Sequence, residues 1–261
     1  DGPPVVLLHG FTGSIRTWDG LAPELARHHQ VVAVDLLGHG ATDAPGDAQR
    51  YAMERATADL AGLLDQLRIE QASVLGYSMG GRLALGFAVL HPERVAALVL
   101  ESATAGIANE TERSARRASD ERLAESIERD GVARFVADWE RLPLFATQAR
   151  LPAARQAALR QDRLRQRERG LANSLRGFGQ GAQPSLHARL AEIDCPVLLV
   201  VGEEDPKFRG IAAGLAARLS DALVTVVPEA GHAVHFEQPE RFATIVQAFL
   251  QSAAPAGEGS T

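Results

Sequence analysis

The sequence is poor in cysteine and has no long apolar run, and each absence excludes a class of protein. Cys195 is the only cysteine, so an intrachain disulfide and a cysteine-rich metal site are excluded. No stretch approaches the roughly 18 uninterrupted apolar residues that a membrane span needs, and no basic, apolar leader opens the chain. These absences predict a soluble protein of the reducing cytoplasm that has no membrane span.

Positive charge is also scarce over the chain as a whole. The formal net charge is −6 at pH 7, whereas binding of nucleic-acid phosphates needs a basic face. The composition therefore favours a small-molecule partner over nucleic acid. The charge is unevenly distributed, because residues 102–189 hold sixteen arginines and no lysine against eleven acidic residues. This middle region is basic inside an acidic protein.

Short apolar runs alternate with helical patterns along much of the chain, which is the rhythm of parallel strands covered by helices on both faces. At 261 residues the chain is long enough for one such core. The sequence therefore predicts an α/β fold with a mostly parallel sheet flanked by helices. The predicted strands are Val5 to Leu8, Val31 to Asp35, Ser73 to Tyr77, Val95 to Glu101, Val197 to Gly202 and Val224 to Val227.

The rhythm stops after Glu101 and resumes only at Val197. Apolar residues in this gap recur at helical spacing, and Ser119 before Asp120 is typical of a helix start. We predict a helical cap over residues 102–189, inserted after the sixth strand and resting on the carboxyl edge of the sheet. The core then comprises residues 1–101 and 190–252, and residues 253–261 form a disordered tail. The antiparallel strands that usually open this architecture are short or absent here.

A G-x-S-x-G motif, Gly76-Tyr77-Ser78-Met79-Gly80, lies between a predicted strand and a helical pattern. In that context the small glycines let the chain turn sharply and present the serine hydroxyl. The alternative is a glycine-rich turn with an incidental serine. The context favours the α/β-hydrolase fold, with Ser78 as the reactive residue.

A serine hydroxyl is a poor nucleophile or base unless a histidine, oriented by a carboxylate, activates it. Asp205 and His232 follow the last two predicted strands, in the chain order serine, acid, histidine that this fold uses. Glu203 and Glu204 are rival acids, although both lie nearer the strand. His235 is the weaker base candidate because it lacks the Gly-His context of Gly231-His232.

The loop after the first strand, His9-Gly10-Phe11, predicts the rest of the reactive site. The backbone N–H groups of Phe11 and Met79 are candidates for an oxyanion hole. The side chains of His9 and His39 are better explained as hydrogen-bonded loop residues than as catalytic groups.

Arginines near the motif favour an anionic substrate. Arg82 lies four residues after Ser78 on the same helix face, where a guanidinium suits a carboxylate better than an uncharged ester; the alternative is a salt bridge to a neighbouring acid. Arg116 has its own alternative, a helix pair with Glu112. Together with the arginine-rich cap, Arg82 predicts a small-molecule substrate with several carboxylates. Trp139 and Phe145 are more simply explained as the core of the cap.

The chain resembles the 2-succinyl-6-hydroxy-2,4-cyclohexadiene-1-carboxylate synthases of menaquinone biosynthesis over nearly its whole length. Four features narrow the resemblance from α/β hydrolases in general to this family: Arg82, the arginine cluster, Asp138-Trp139 and Lys207-Phe208-Arg209. The segments that carry it are His9 to Gly13, Asp35 to Gly40, Gly76 to Arg82, Asn109 to Asp120, Phe135 to Trp139, Pro143 to Ala146, Gly202 to Arg209 and Ala230 to His232.

The resemblance implies a lyase that eliminates pyruvate from a cyclohexene bearing succinyl, carboxylate and enolpyruvyl groups, with no cofactor. On this interpretation His232, held by Asp205, activates Ser78 to remove a ring proton, and the amides of Phe11 and Met79 hold the oxyanion. The resemblance also implies substrate binding by Arg82, Arg116, Arg160, Tyr77, Trp139 and Phe145.

Three questions stay open at the level of sequence. Arg113 and Arg117 are neighbours that could exchange roles with Arg116, whereas Arg163 and Arg167 are expected on the solvated face of the cap. A serine hydrolase, either an esterase or a carbon–carbon bond hydrolase, is the alternative function. A non-catalytic receptor of the same fold would have a broken triad, which this sequence does not have.

Overall fold

The computed structural model describes residues 2–253, and its centre is a six-stranded sheet. The strand order is β2-β1-β3-β4-β5-β6, and every neighbouring pair is parallel. The carboxyl ends of all six strands therefore meet at one edge, where open α/β sheets bind their ligands. The strands are β1 Pro4–Leu8, β2 Gln30–Val34, β3 Ala72–Tyr77, β4 Val95–Glu101, β5 Val197–Gly202 and β6 Ala222–Val227.

Helices cover both faces of the sheet. Because successive strand side chains point to opposite faces, Val6 and Leu8 pack in the apolar layer beneath α2, α3 and α7, whereas Val5 and Leu7 pack beneath α1, α8 and α9. Burial of both faces explains why the strands are almost continuously apolar. The helices are α1 Ala22–Leu25, α2 Met53–Gln66, α3 Met79–Leu90, α4 Glu110–Trp139, α5 Ala153–Leu164, α6 Glu168–Phe178, α7 Pro206–Ala216, α8 Val234–Glu237 and α9 Pro239–Ala253.

The helical insertion α4–α6 lies between β4 and β5, so the prediction that it follows the sixth strand is wrong. The prediction counted six strands before the insertion because the usual architecture includes antiparallel opening strands. Within residues 2–253 no strand precedes β1, and only four strands come before the insertion. The insertion has its own apolar cluster, in which Ile127 and Val136 of α4 pack against Leu171 and Leu175 of α6.

The long helix α4 begins earlier than predicted. The Asn109 side chain accepts a hydrogen bond from the Glu112 N–H at 3.0 Å and caps the helix, so Ser119 is an interior residue and its prediction as a helix start is wrong. Gly131, with φ of 81°, kinks α4, because this backbone conformation is accessible chiefly to glycine.

Two further predictions concern the chain's end and its relation to membranes. Of the predicted disordered tail, residues 254–261 lie outside the described residues, whereas Ala253 is the last residue of α9. Across residues 2–253, the structure contains no helix with the length and apolar character that crossing a membrane requires.

Candidate active site

Ser78 sits on a strained turn between β3 and α3. Its φ of 51° and ψ of −104° lie outside the common regions for a residue with a side chain, and its N–H donates to the Glu101 carbonyl at 2.8 Å. The flanking glycines make the turn possible. A Cβ on Gly76 would lie 2.3 Å from the Gly80 carbonyl oxygen, and a Cβ on Gly80 would lie 2.1 Å from that of Leu8. The turn holds the Ser78 hydroxyl at the carboxyl edge of the sheet.

The structure brings Ser78, His232 and Asp205 into one hydrogen-bonded series. His232 Nε2 lies 3.2 Å from Ser78 Oγ, and His232 Nδ1 lies 2.9 Å from Asp205 Oδ2. The other carboxylate oxygen of Asp205 accepts from the Phe208 N–H at 3.1 Å. His232 and Asp205 are buried. This arrangement fixes the histidine so that Nε2 faces the serine, as general-base activation requires.

The rival residues are held elsewhere. Glu204 pairs with Arg150 at 2.7 Å, and Glu203 is exposed. His235 is buried, with Nδ1 2.7 Å from the Glu101 carboxylate. Its ring packs 4.6 Å from the Tyr77 ring, centroid to centroid. Among the described residues, Asp205 is therefore the carboxylate that contacts His232.

Two backbone N–H groups point to an oxyanion site next to Ser78. Phe11 follows β1, and Met79 is the first residue of α3. Neither N–H donates to an acceptor within residues 2–253. Both residues line the same cavity as Ser78. Free donors at the amino end of a helix and in an adjacent loop are suited to a developing negative charge.

That cavity measures about 240 Å³ and lies between the sheet edge and the insertion. Arg82 lines it and is only 6% exposed. Its Nη1 donates to the Phe178 carbonyl at 2.8 Å and to Gln183 Oε1 at 2.5 Å. These acceptors are neutral, and no carboxylate within residues 2–253 forms a salt bridge with Arg82. Burial lowers the pKa of Arg82 to about 9, so the guanidinium is cationic at neutral pH but poorly compensated.

Arg116 also lines the cavity, whereas its neighbours face other groups. Arg116 donates through Nε to buried Asp120 at 2.7 Å and through Nη1 to Gln180 at 2.9 Å. Arg113 pairs with Glu110, and Arg117 donates to the Gly181 carbonyl. Of the three candidates in this cluster, Arg116 is the one that faces the cavity, and the expected pair with Glu112 is replaced by the pair with Asp120.

Comparison with known proteins identifies the family of the chain. Residues 3–239 match the family described as the alpha/beta hydrolase fold. A Bacillus subtilis (strain 168) protein, provisionally named as a 2-succinyl-6-hydroxy-2,4-cyclohexadiene-1-carboxylate synthase, is 49% identical over 95% of this chain and 90% of its own length. The synthase of that name from Enterobacter sp. (strain 638) is 32% identical, over 95% and 92%. The chain belongs to the 2-succinyl-6-hydroxy-2,4-cyclohexadiene-1-carboxylate synthase family.

A solved structure has a similar fold over nearly the whole chain. MenH from S. aureus superposes with a TM-score of 0.94 at 34% identity, covering 97% of this chain and 95% of that one. The match spans the insertion as well as the sheet. The structural likeness therefore extends beyond the serine motif to the fold of the whole chain.

The structure does not bring Arg160 to the cavity. Arg160 donates to Glu140, and its side chain is 46% exposed. Arg163, which was expected on the solvated face, is instead 10% exposed, so that expectation is wrong. It donates to Glu140 and Gln148, each at 3.1 Å, because it lies one turn further along α5.

Arg163 lines a small side cavity next to the main one. The two cavities share the side chains of Phe11, Tyr77, Trp139 and Phe145. The guanidinium of Arg163 lies 5.6 Å from the Phe145 ring centroid. Among the arginines of α5, Arg163 is thus the one that reaches the walls of the candidate active site. By contrast, Arg167 is exposed and donates to the Thr42 carbonyl.

The predicted aromatic residues join the insertion to the sheet edge. The Trp139 ring packs 5.4 Å from Phe11 and 5.5 Å from Phe145, and Phe145 lies 6.1 Å from the His232 ring. Tyr77 is 5.5 Å from His232, and burial raises the pKa of its phenol well above the ordinary value. Tyr77 therefore remains protonated and contributes a hydroxyl and a ring face, while Trp139 and Phe145 serve both as packing and as cavity wall.

The remaining titratable groups do not form a metal site. Within residues 2–253 no group of three or more histidine, cysteine, aspartate or glutamate side chains is arranged to hold a metal ion. His9 is fully buried, accepts from the Leu36 N–H at 3.0 Å, and burial lowers its pKa to about 4. Burial lowers the pKa of His39 to about 3. Both side chains are neutral at physiological pH and tie the loops after β1 and β2 together.

Proposed function

We propose that this chain eliminates pyruvate from the succinyl-enolpyruvyl-hydroxycyclohexene-carboxylate to form 2-succinyl-6-hydroxy-2,4-cyclohexadiene-1-carboxylate, with Ser78, His232 and Asp205 as its base system. His232 Nε2 takes the Ser78 proton, and Ser78 Oγ removes the ring proton next to the succinyl ketone. The electron pair moves to the ketone oxygen, which the N–H groups of Phe11 and Met79 stabilise.

The second half of the reaction returns that electron pair to the ring. The bond between the ring carbon and the enolpyruvyl oxygen breaks, the diene forms, and His232 supplies the proton that allows enolpyruvate to leave and become pyruvate. The reaction consumes no water and leaves the triad in its starting state. Substrate carboxylates are bound by Arg82 and Arg116, with Arg163 in place of Arg160 as the third arginine.

The observation that carries the proposal is the burial of Arg82 one helical turn from Ser78 without an acidic partner among the described residues. A buried charge costs several kcal/mol unless something compensates it. A bound carboxylate would supply that compensation. A serine hydrolase of uncharged esters would use the same triad but would gain nothing from this cation.

The test of the proposed function is release of pyruvate from the enolpyruvyl substrate by the purified protein. We expect activity without added metal or nucleotide, undiminished by a chelator, because the proposed site contains its own base and oxyanion donors. Robust hydrolysis of simple esters with no release of pyruvate would mean that the chain is a serine hydrolase.

The arginines of α5 provide a matched pair of variants. Arg163→Met should lower kcat/KM for pyruvate release by about thirtyfold or more, since a buried charge–carboxylate contact is worth at least ~2 kcal/mol. Arg160→Met, which also removes a bond to Glu140 but from an exposed side chain, should change it less than about threefold. Steady-state kinetics on both variants decides which of the two arginines binds substrate. A larger loss of kcat/KM at Arg160 would favour Arg160, as the sequence analysis expected.

A further inference from the structure

The single lysine of the chain lies at the cavity that contains Ser78. Lys207 is the only lysine among the 27 lysine and arginine residues. It is exposed, and it lines the 240 Å³ cavity together with Ser78 and His232. It occupies the second position of α7, two residues after Asp205 caps that helix. The one flexible ammonium of the chain is thus located at the rim of the candidate active site.

Helix stability does not explain a lysine at this position. A cation in the first turn opposes the helix dipole, at a cost of about 0.3–1 kcal/mol. No carboxylate oxygen within residues 2–253 lies in salt-bridge range of Lys207. The nearby Asp205 carboxylate is already engaged by His232 and by the Phe208 N–H.

The other cations around the cavity are compensated differently. Arg116 is paired with Asp120, and Arg163 shares Glu140 with Arg160. In the described part of the chain, Arg82 and Lys207 are the cavity cations that have no acidic partner. Arg82 is buried in the first turn of α3, the helix that follows Ser78, whereas Lys207 is at the rim. The two are suited to carboxylates at different ends of one substrate.

Lys207 lies on the side of the cavity where the leaving group receives its proton. Its Nζ is 5.7 Å from the Phe208 ring centroid, and the Phe208 ring packs 4.5 Å from the His232 ring. In the reaction proposed above, His232 returns the proton to the departing enolpyruvate. That fragment must also pass the rim to reach solvent.

We infer that Lys207 binds the carboxylate of the enolpyruvyl group and holds this leaving group beside His232 until it departs as pyruvate. The inference rests on the proposed function for the identity of the substrate. The inference concerns only one contact of that reaction, between Lys207 and the carboxylate of a 2-oxo acid or enol acid. The arginines bind the succinyl carboxylate.

Product inhibition tests this division. Lys207→Met removes the charge and keeps the length, and it should raise the inhibition constant of pyruvate about fivefold, the upper range for an exposed ion pair. Inhibition by succinate should stay unchanged. Lys207→Arg should restore pyruvate inhibition. Arg209→Met is the matched control, because Arg209 is exposed on the same helix and does not line the cavity.

A second measurement does not depend on turnover. Acetylation with an N-hydroxysuccinimide ester, followed by peptide mass spectrometry, reports on the single lysine directly, with the chain's α-amino group as internal control. Pyruvate should slow acetylation of Lys207, and succinate should not. Equal protection by both anions, protection by succinate alone, or no protection would overturn the inference. Failure of the proposed function would instead be seen as absence of pyruvate release by the unmodified protein.

Discussion

Ser78→Ala, His232→Ala and Asp205→Asn will each lower kcat for pyruvate release by on the order of 10² or more. The reason is geometric: His232 bonds both Ser78 Oγ and Asp205 Oδ2, so loss of one member disables the base. Combined substitutions should cost little more than single ones, because the three residues act as a unit. Steady-state kinetics on the single and triple variants measures this.

Controls separate a chemical defect from a folding defect. Circular dichroism and thermal unfolding should show that Ser78→Ala retains the native fold, since the hydroxyl contributes only the contact to His232. Glu204→Gln is the matched control, because Glu204 pairs with exposed Arg150 and does not touch His232. If Glu204→Gln were inactive and Asp205→Asn nearly normal, the acid of the triad would be misassigned.

Replacement of Arg82 is expected to weaken transition-state binding by roughly 2–5 kcal/mol, the range for one partner of a buried charged pair. Arg82→Met should therefore lower kcat/KM for the tricarboxylate substrate sharply. Its effect on hydrolysis of an uncharged ester, if any is detected, should be small. Thermal stability should not fall in proportion, because the variant removes a buried cation that has no acidic partner among residues 2–253.

The outcome at Arg82 also distinguishes two uses of this residue. Its Nη1 tethers the Phe178 carbonyl and Gln183, so a purely structural role is the competing explanation. A structural role predicts equal losses on charged and uncharged substrates together with a lowered melting temperature. A substrate-binding role predicts a loss confined to the charged substrate.

The features that could be predicted from sequence are those with a strong local cause. The turn at Ser78 follows from two glycines that leave no room for a Cβ, and the order of Ser78, Asp205 and His232 follows from strand ends meeting at one edge. The sheet could be predicted for the same reason, since its strands are apolar runs bounded by turns. The strand after which the insertion comes was mispredicted, because the prediction counted opening strands of the usual architecture that residues 2–253 do not contain.

The orientation of α5 is the clearest failure of the sequence argument. Helix phase is ordinarily inferred from an apolar stripe, and α5, Ala153–Leu164, has little apolar content beyond alanine. Nothing local then distinguishes Arg160 from Arg163, three residues apart. The phase is set by Glu140 and Gln148, which reach Arg163 from other segments. The start of α4 was missed for a different reason, since Asn109 gave the cap signal ten residues before Ser119.

The central claim is that the triad drives an elimination and not a hydrolysis, and one experiment tests it directly. The purified protein is given the enolpyruvyl substrate, and pyruvate is measured enzymatically while the absorbance of the conjugated cyclohexadiene is followed in the same sample. Elimination predicts one diene for each pyruvate, formed at the same rate, because both arise when the same carbon–oxygen bond breaks. Pyruvate released without a matching diene would contradict the account, because water would then have hydrolysed the enol ether while the ring kept its proton.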